Sequence, residues 1–596
     1  MRVPRSRPAR LRAGAVALVV ALAAHSPAAD SEGRAEWPWW RGPLGNGVSP
    51  DGDPPLRWSE KQNVRFKVAI DGDGLATPIV WGDRIYVLSA RSLDAGEGAR
   101  PATDPSGVPL PRQRFLVTAY DRHDGSVAWQ RVAVERVPHE SHHLESGWAT
   151  ASPVTDGERL YAHFGSAGTY AYTLAGELVW KVDLGDMTTR LGYGEGSSPA
   201  LWGDTLVVNW DHEGDSFVVA LDKRTGEPLW RKERPGELTS WSTPLVREHE
   251  GRVHVIVAGG GRTRAYDIRS GEVLWSLSGL GMNAIPTPIY DAGILYLASG
   301  KRDSPRMLAV DLRGAKGDLD GSSAVLWTRD RDTPYVSTPL LYRGQLYFFR
   351  HVSSFLTSVD AATGATHFTE RAGLGNVFAS PVAAAGRIYL LGRQGKTLVL
   401  APGPRLQILA ENQLDDVFDA SPVIVGGDLY LRGRRFLYAV ARSDGSAPPA
   451  AACIMPAEVA PVTSPAPPAV ATERSLVNWT TLIYALHAFS IVTGIVGTAT
   501  VIGAFLTGWP SIIAVILNYV KRSEARGSWL ESHFRWQIRT FWYGVLWVGL
   551  CALLVILTLG VGIVVVWLPL AIVTIWFVYR IVRGGMRLAA RRPMYS

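Results

Sequence analysis

The chain has 596 residues, of which 19% are charged and 22 are tryptophan, and it carries a formal net charge of +7. That length exceeds one ordinary domain, and with only Cys453 and Cys551 a disulfide framework is excluded. The basic excess lies at the ends, in Arg2, Arg5, Arg7, Arg10 and Arg12 and in Arg580, Arg583, Arg587, Arg591 and Arg592. Without these the remainder is −3, so a general affinity for nucleic acid is excluded, whereas positive-inside membrane topology is served.

Residues 1–30 combine an arginine-rich start, an apolar run from Ala13 to Ala24 and small residues from Ser26 to Ala29. This pattern predicts a secretory signal peptide, with an uncleaved anchor as the alternative. Next comes Trp39-Trp40-Arg41-Gly42-Pro43, and then a strand-like segment, Val64 to Ile70.

From there a Ser/Thr-Pro step recurs eight times, each opening a strand: Thr77-Pro78, Ser152-Pro153, Ser198-Pro199, Thr243-Pro244, Thr287-Pro288, Thr338-Pro339, Ser380-Pro381 and Ser421-Pro422. After the first gap the prolines are 46, 45, 44, 51, 42 and 41 residues apart, a period that signals propeller blades. Runs such as Arg84-Ile85-Tyr86-Val87-Leu88 have strand rather than helix character, which argues against a helical solenoid.

A second motif follows in most repeats: Ala119-Tyr120-Asp121 with Gly125 and Trp129, Ala220-Leu221-Asp222 with Gly226 and Trp230, Ala265-Tyr266-Asp267 with Gly271 and Trp275. The aspartate caps a turn, the glycine supplies a positive φ, and the aromatic residue projects between blades. Trp129, Trp180, Trp230, Trp275, Trp327 and Phe368 are therefore the expected blade-docking residues, while the seventh repeat, around Leu406, lacks the motif. The eighth repeat has no outer strand, and Val64 to Ile70 is expected to supply it, which removes two exposed edges. The result is an all-β eight-bladed propeller over residues 37–441.

The Ala-x-Asp-x-x-Thr-Gly-x-x-x-Trp pattern is similar to that of pyrroloquinoline-quinone (PQQ) repeats. It resembles the family that contains periplasmic quinone-dependent dehydrogenases and the outer-membrane assembly propeller. The Trp-Trp-Arg-Gly-Pro opening and the stretch Val154 to Tyr161 resemble a bacterial branch of that family. The resemblance implies an eight-bladed ring. It also implies either a surface for protein partners or, as the alternative, a PQQ and calcium site at the ring centre with an aspartate base.

For chemistry, His139, His142 and His143, with Glu140 and Glu145 among them, are candidate metal ligands. The bland alternative is a surface loop, because Pro138 precedes them and no helix would align them. Asp71, Asp73, Asp415, Asp416 and Asp419 fall near strand entries, either as ion ligands or as solvated turn acids. Gly259-Gly260-Gly261 is expected to be a strand-linking turn. No catalytic residue is assigned.

Residues 443–473 are Ala/Pro-rich and predict an extended linker. Residues 478–590 predict an α-helical transmembrane domain with about three spans: Leu482 to Leu506, Thr540 to Leu559 and Val561 to Tyr579. Trp509 to Val520 is expected to be interfacial. This region resembles a small bacterial membrane domain distantly related to a chloroplast import component. Within it, His487, Glu531 and His533 are either functional or, for the last two, part of a solvated loop. The whole predicts a propeller on the periplasmic side of a bacterial inner membrane, acting as a non-catalytic scaffold for envelope proteins. Two alternatives remain, a membrane-bound quinoprotein dehydrogenase and an envelope sensor.

Overall fold

The computed structural model describes residues 36–93, 110–300, 305–442 and, further on, the helix Glu531–Leu557 with scattered residues between 480 and 587. The chain divides into two units, Met1–Ala452 and Cys453–Ser596. In the first unit, eight sheets follow one another along the chain, each with four antiparallel strands. Every one starts just after a Ser/Thr-Pro step, for example at Ile79–Trp81, Ala200–Trp202, Leu340–Tyr342 and Val423–Val425.

The sheets are blades of one ring, because the buried apolar clusters each join neighbouring sheets. Leu88 and Val117 pack with Leu160 and Tyr172, Leu206 packs with Val154, and Val382 and Leu391 pack with Val423 and Val80. The core is thus a circle of interblade wedges. Ring closure is made by Val64–Ala69, which pairs antiparallel with Phe436–Val440, aligning Val64 with Val440 and Ala69 with Phe436. The last blade therefore takes its outer strand from the start of the domain.

The outer aromatic residue stands opposite a small residue of the adjoining strand: Trp129 opposite Ala119, Trp180 opposite Ala171, Trp230 opposite Ala220, Trp327 opposite Ala309 and Phe368 opposite Ser358. The ring of each of the four tryptophans then reaches the turn glycine of the next blade. A Cβ on Gly176, Gly226, Gly271 or Gly364 would stand 2.7–2.8 Å from Trp129, Trp180, Trp230 or Trp327 respectively. These glycines also have positive φ, so two constraints select glycine there. Each indole donates Nε1–H to a backbone carbonyl of the same turn, at Leu174, Lys223, Ile268 and Ala361, over 2.8–3.0 Å.

Three wedges depart from this scheme. Trp275 is fully buried, but its Nε1 points to His254 Nδ1 of its own blade at 3.3 Å. The following blade lacks the short turn, and Gly317–Asp318 instead adds as a parallel fifth strand beside Val273–Ser278. In the seventh blade Ala410 occupies the aromatic position opposite Val399. Trp58, from the segment before the ring-closing strand, fills the gap, stacking on Tyr389 at 6.4 Å and bonding Asn412 Oδ1 through its backbone N–H at 2.8 Å. In the eighth blade Phe66 stands opposite Ala439 and packs on Gly125.

In the second unit, residues 540–557 of the expected second span lie in the helix Glu531–Leu557. Among the described residues no helix is long and apolar enough to cross a membrane. His533 is not in a solvated loop: it is fully buried on this helix, with Nδ1 3.1 Å from Tyr484 Oη. Trp536 donates to Arg580 O at 3.0 Å, under the Arg580 guanidinium. The signal peptide, the linker, the spans at 482–506 and 561–579 (but for scattered residues) and His487 lie outside the described residues.

Candidate functional site in the central cavity

The eight Ser/Thr-Pro steps ring the axis. Proline fixes the backbone, and the hydroxyl one residue earlier accepts the backbone N–H of its counterpart in the preceding blade. Thr77 N–H bonds Ser152 Oγ, Ser152 bonds Ser198, and Ser198 bonds Thr243. Thr287 bonds Thr338, Thr338 bonds Ser380, Ser380 bonds Ser421, and Ser421 bonds Thr77, all over 2.9–3.1 Å. The belt is open at one link only, between Thr243 and Thr287, where Thr287 Oγ1 is buried and receives no hydrogen bond. Buried donors at a ring centre need such acceptors, which explains the Ser or Thr before seven of the eight prolines.

One end of this channel is closed by the Trp-Trp-Arg-Gly-Pro segment. Trp37 pairs with Val80, Thr155 N–H bonds Pro38 O, and Arg247 reaches Leu44 O, so residues 37–48 run past several blades in turn. Arg41 is buried, donates to Pro381 O at 3.1 Å and Asn46 O at 3.0 Å, and has no carboxylate partner among the described residues; burial lowers its pKa to about 9. Val48 then bridges to Ala383 on the seventh blade.

Above this plug lies a cavity of about 410 Å³. Trp40 forms its floor and the Ser/Thr belt its waist. Tyr193, Trp241, Tyr335 and Phe378 line the wall, with Glu145 and Asp419 as the carboxylates. Both are paired with arginine: Arg393 lies 2.8 Å from Glu145 and 3.0 Å from Asp419, and Arg434 lies 3.0 Å from Asp419 and 2.9 Å from Asp73. Burial raises the Asp419 pKa, and the two arginines oppose that shift.

The aspartates near strand entries are therefore not solvated turn acids throughout. Asp416 is buried and accepts the backbone N–H of Arg435 and Phe436, Asp71 pairs with Arg91, and Asp73 and Asp415 are exposed, Asp73 while paired with Arg434. Gly259-Gly260-Gly261 does link two strands, Arg252–Val257 and Arg262–Asp267, and Glu237 caps that turn through the N–H of Gly261 and Arg262. Beneath the same face Asp211 and Arg234 form a fully buried bidentate pair at 2.7 and 3.0 Å, with Tyr266 Oη on Nη1.

The three histidines do not form one ligand set. His142 packs edge-on against Trp148 and bonds His143 O, and His143 packs on Tyr193. His139 turns the other way and converges with Glu140 and Glu195, a residue that sequence spacing could not associate with it. Burial pushes the Glu195 carboxyl up to about 7 and raises that of Glu140 as well.

A PQQ–calcium pair at the axis would need free oxygen ligands and a free aspartate base. Asn283 Oδ1 is an unpartnered oxygen among the lining residues, but both cavity carboxylates are bound by Arg393 and Arg434, so the aspartate base is lacking among the described lining residues and the donor set does not fit that pair. Among the described residues, the only group of three imidazole or carboxylate ligands is His139, Glu140 and Glu195, outside the cavity wall.

Fold and belt define an eight-bladed β-propeller with PQQ-type repeats. Residues 57–190 and 170–390 match the family described as outer membrane protein assembly factor BamB, and the chain belongs to that family. No curated protein matches the sequence. Among solved structures it is similar to BamB from Moraxella catarrhalis, with 16% identity and a TM-score of 0.44 over 63% of this chain and 99% of that one. It is also similar to the quinohemoprotein alcohol dehydrogenase ADHIIG from Pseudomonas putida HK5 (12% identity, TM-score 0.42, 74% and 84% covered). The enzyme from Comamonas testosteroni follows at 11% identity and a TM-score of 0.33, with 76% and 85% covered.

Proposed function

We propose that this protein is a non-catalytic interaction propeller that receives envelope protein partners on the face opposite the Trp-Trp-Arg-Gly-Pro plug. The observation that carries this reading is that the two most exposed large apolar side chains of the described propeller, Leu144 and Leu191, lie on one face. In a four-stranded antiparallel blade, every connection to the next blade emerges on one face. Those connections present Leu144, 93% exposed, and Leu191, 72% exposed, together with Leu238, Met282 and Val417. Leu191 is further held at φ 54°, a conformation costly for a leucine, which directs it outward. Exposed apolar groups spaced round the mouth of a polar-rimmed cavity are what a protein partner buries.

We further propose that residues 478–590 tether this propeller to the inner membrane on its periplasmic side, supported by the apolar stretches and the terminal arginines. The dehydrogenase reading is disfavoured by the arginine-bound carboxylates of the cavity. It is tested by adding PQQ and calcium to the purified protein and following cofactor absorbance and dye-linked alcohol oxidation. The scaffold reading expects neither, and stoichiometric uptake with turnover would overturn it.

A further inference from the structure

Beside the first blade, the connection at residues 137–148 leaves the outer strand Val127–Arg136 and meets the connection between the second and third blades. His139, Glu140 and Glu195 bring one ligand atom each to within 4.8 Å of one another around a cavity of about 30 Å³, room for one ion or one water.

Each of the three is held by a neighbour of its own. Glu195 accepts Ser166 N–H at 2.7 Å and the Ser166 hydroxyl at 2.5 Å. Glu140 accepts the N–H and the hydroxyl of Thr189, whose hydroxyl in turn accepts Gly194 N–H. His139 Nε2 stands 2.5 Å from Met187 O, so this nitrogen carries the proton; Nδ1, 3.5 Å from Asp186 Oδ1, is the nitrogen left to a metal, and Asp186 itself is held by Arg136 at 3.0 Å. Such outer partners fix the orientation and tautomer of metal-ligating side chains.

Charge gives an independent reason. Elsewhere in the propeller the buried carboxylates meet arginine: Asp211 meets Arg234, Glu237 meets Arg264, Asp416 meets Arg435 and Asp419 meets Arg434. Among the described residues no lysine or arginine pairs with Glu140 or Glu195: Arg136 lines the same cavity, but its guanidinium is taken up by Ser166 O and Asp186. Two carboxylates facing one another without a cation leave a site that a cation would neutralise.

We propose that His139, Glu140 and Glu195 bind one divalent first-row transition-metal ion, clipping the 137–148 connection, with its exposed Leu144, to the second blade. One imidazole with two carboxylates favours the zinc and manganese class over calcium or magnesium, which take oxygen alone.

The test uses the purified full-length chain, stripped with chelator and dialysed against zinc(II). Bound metal is counted by mass spectrometry, and cobalt(II) serves as a visible spectroscopic probe. One equivalent is expected, with the cobalt bands of nitrogen–oxygen ligation and a raised melting temperature. His139→Ala and Glu195→Gln should abolish stoichiometric binding, and Ser166→Ala should weaken it by ~10–100-fold. His142→Ala and His143→Ala should leave it unchanged. Metal-free melting curves verify that each variant folds, and Glu140→Gln replaces any that does not. Failure of the unmodified chain to take up metal overturns the proposal, as does uptake that survives His139→Ala and Glu195→Gln or depends on His142.

Discussion

Substituting Trp180 by alanine removes a wedge between the second and third blades. The side chain is 8% exposed, covers Gly226 and donates to Lys223 O at 2.9 Å. Truncating a buried tryptophan costs ~3–5 kcal/mol, within which the Lys223 carbonyl loses its donor. A domain of roughly 400 residues has an unfolding entropy near 0.8 kcal/mol/K, so the melting temperature should fall by about 5 °C. Trp180→Phe keeps most of the packing and loses the hydrogen bond, at ~1–2 kcal/mol, or about 1–2 °C. The assay is calorimetric or urea-induced unfolding of the purified protein. Were Trp180→Ala to melt like a surface substitution, or Trp180→Phe as low as the alanine variant, the interblade wedge would not hold the ring as argued.

The belt offers a paired test. Thr338→Val removes the acceptor of Thr287 N–H and should cost ~1–3 kcal/mol, whereas Thr287→Val removes a hydroxyl that receives nothing and should be near neutral in the same unfolding assay. Breaking the buried pair by Arg234→Met strands the Asp211 carboxylate and should cost ~3–5 kcal/mol by chemical denaturation. For pH, burial lowers the His163 pKa from 6.5 to about 4, so the unfolded chain binds the extra proton first. Stability from this group is complete above pH 6.5 and is lost as pH falls towards 4, by about 3 kcal/mol. His163→Gln should flatten that part of the stability–pH curve. Trp58→Ala should destabilise the ring about as much as loss of a blade's own tryptophan, which limited proteolysis of the seventh and eighth blades would register.

Much of the ring was legible because its parts are local. The Ser/Thr-Pro steps, the turn aspartate with its glycine, and the aromatic four residues later all lie within one repeat, and their period reveals the blade. Contact across the chain is not written in any one repeat. Trp58 serves the seventh blade from some 350 residues upstream in sequence, and nothing near Leu406 announces it. That Trp275 turns to His254 follows from a longer turn in the next blade, not from its own motif.

The belt was present as eight hydroxyls, yet their acceptor role appears only once the blades stand side by side. At the His139 cluster, sequence proximity suggested His142 and His143. Only Glu140 of that stretch joins His139, and the third partner is Glu195, which lies after the next blade. Residues such as Asp416 and Asp419 looked like turn acids because only the fold brings Arg393, Arg434 and Arg435 against them.

The account rests on partners meeting the face that carries the interblade connections. Photo-crosslinking in cells tests this directly, with a photoreactive residue placed at Leu144, Leu191 or Met282 and, as controls, at Val127, Leu178 or Leu229, which are exposed at the start of outer strands beside the opposite face. Discrete adducts with an envelope protein from the first set, and none from the second, are predicted. Equal capture from both sets, or adducts only from the controls, would contradict it.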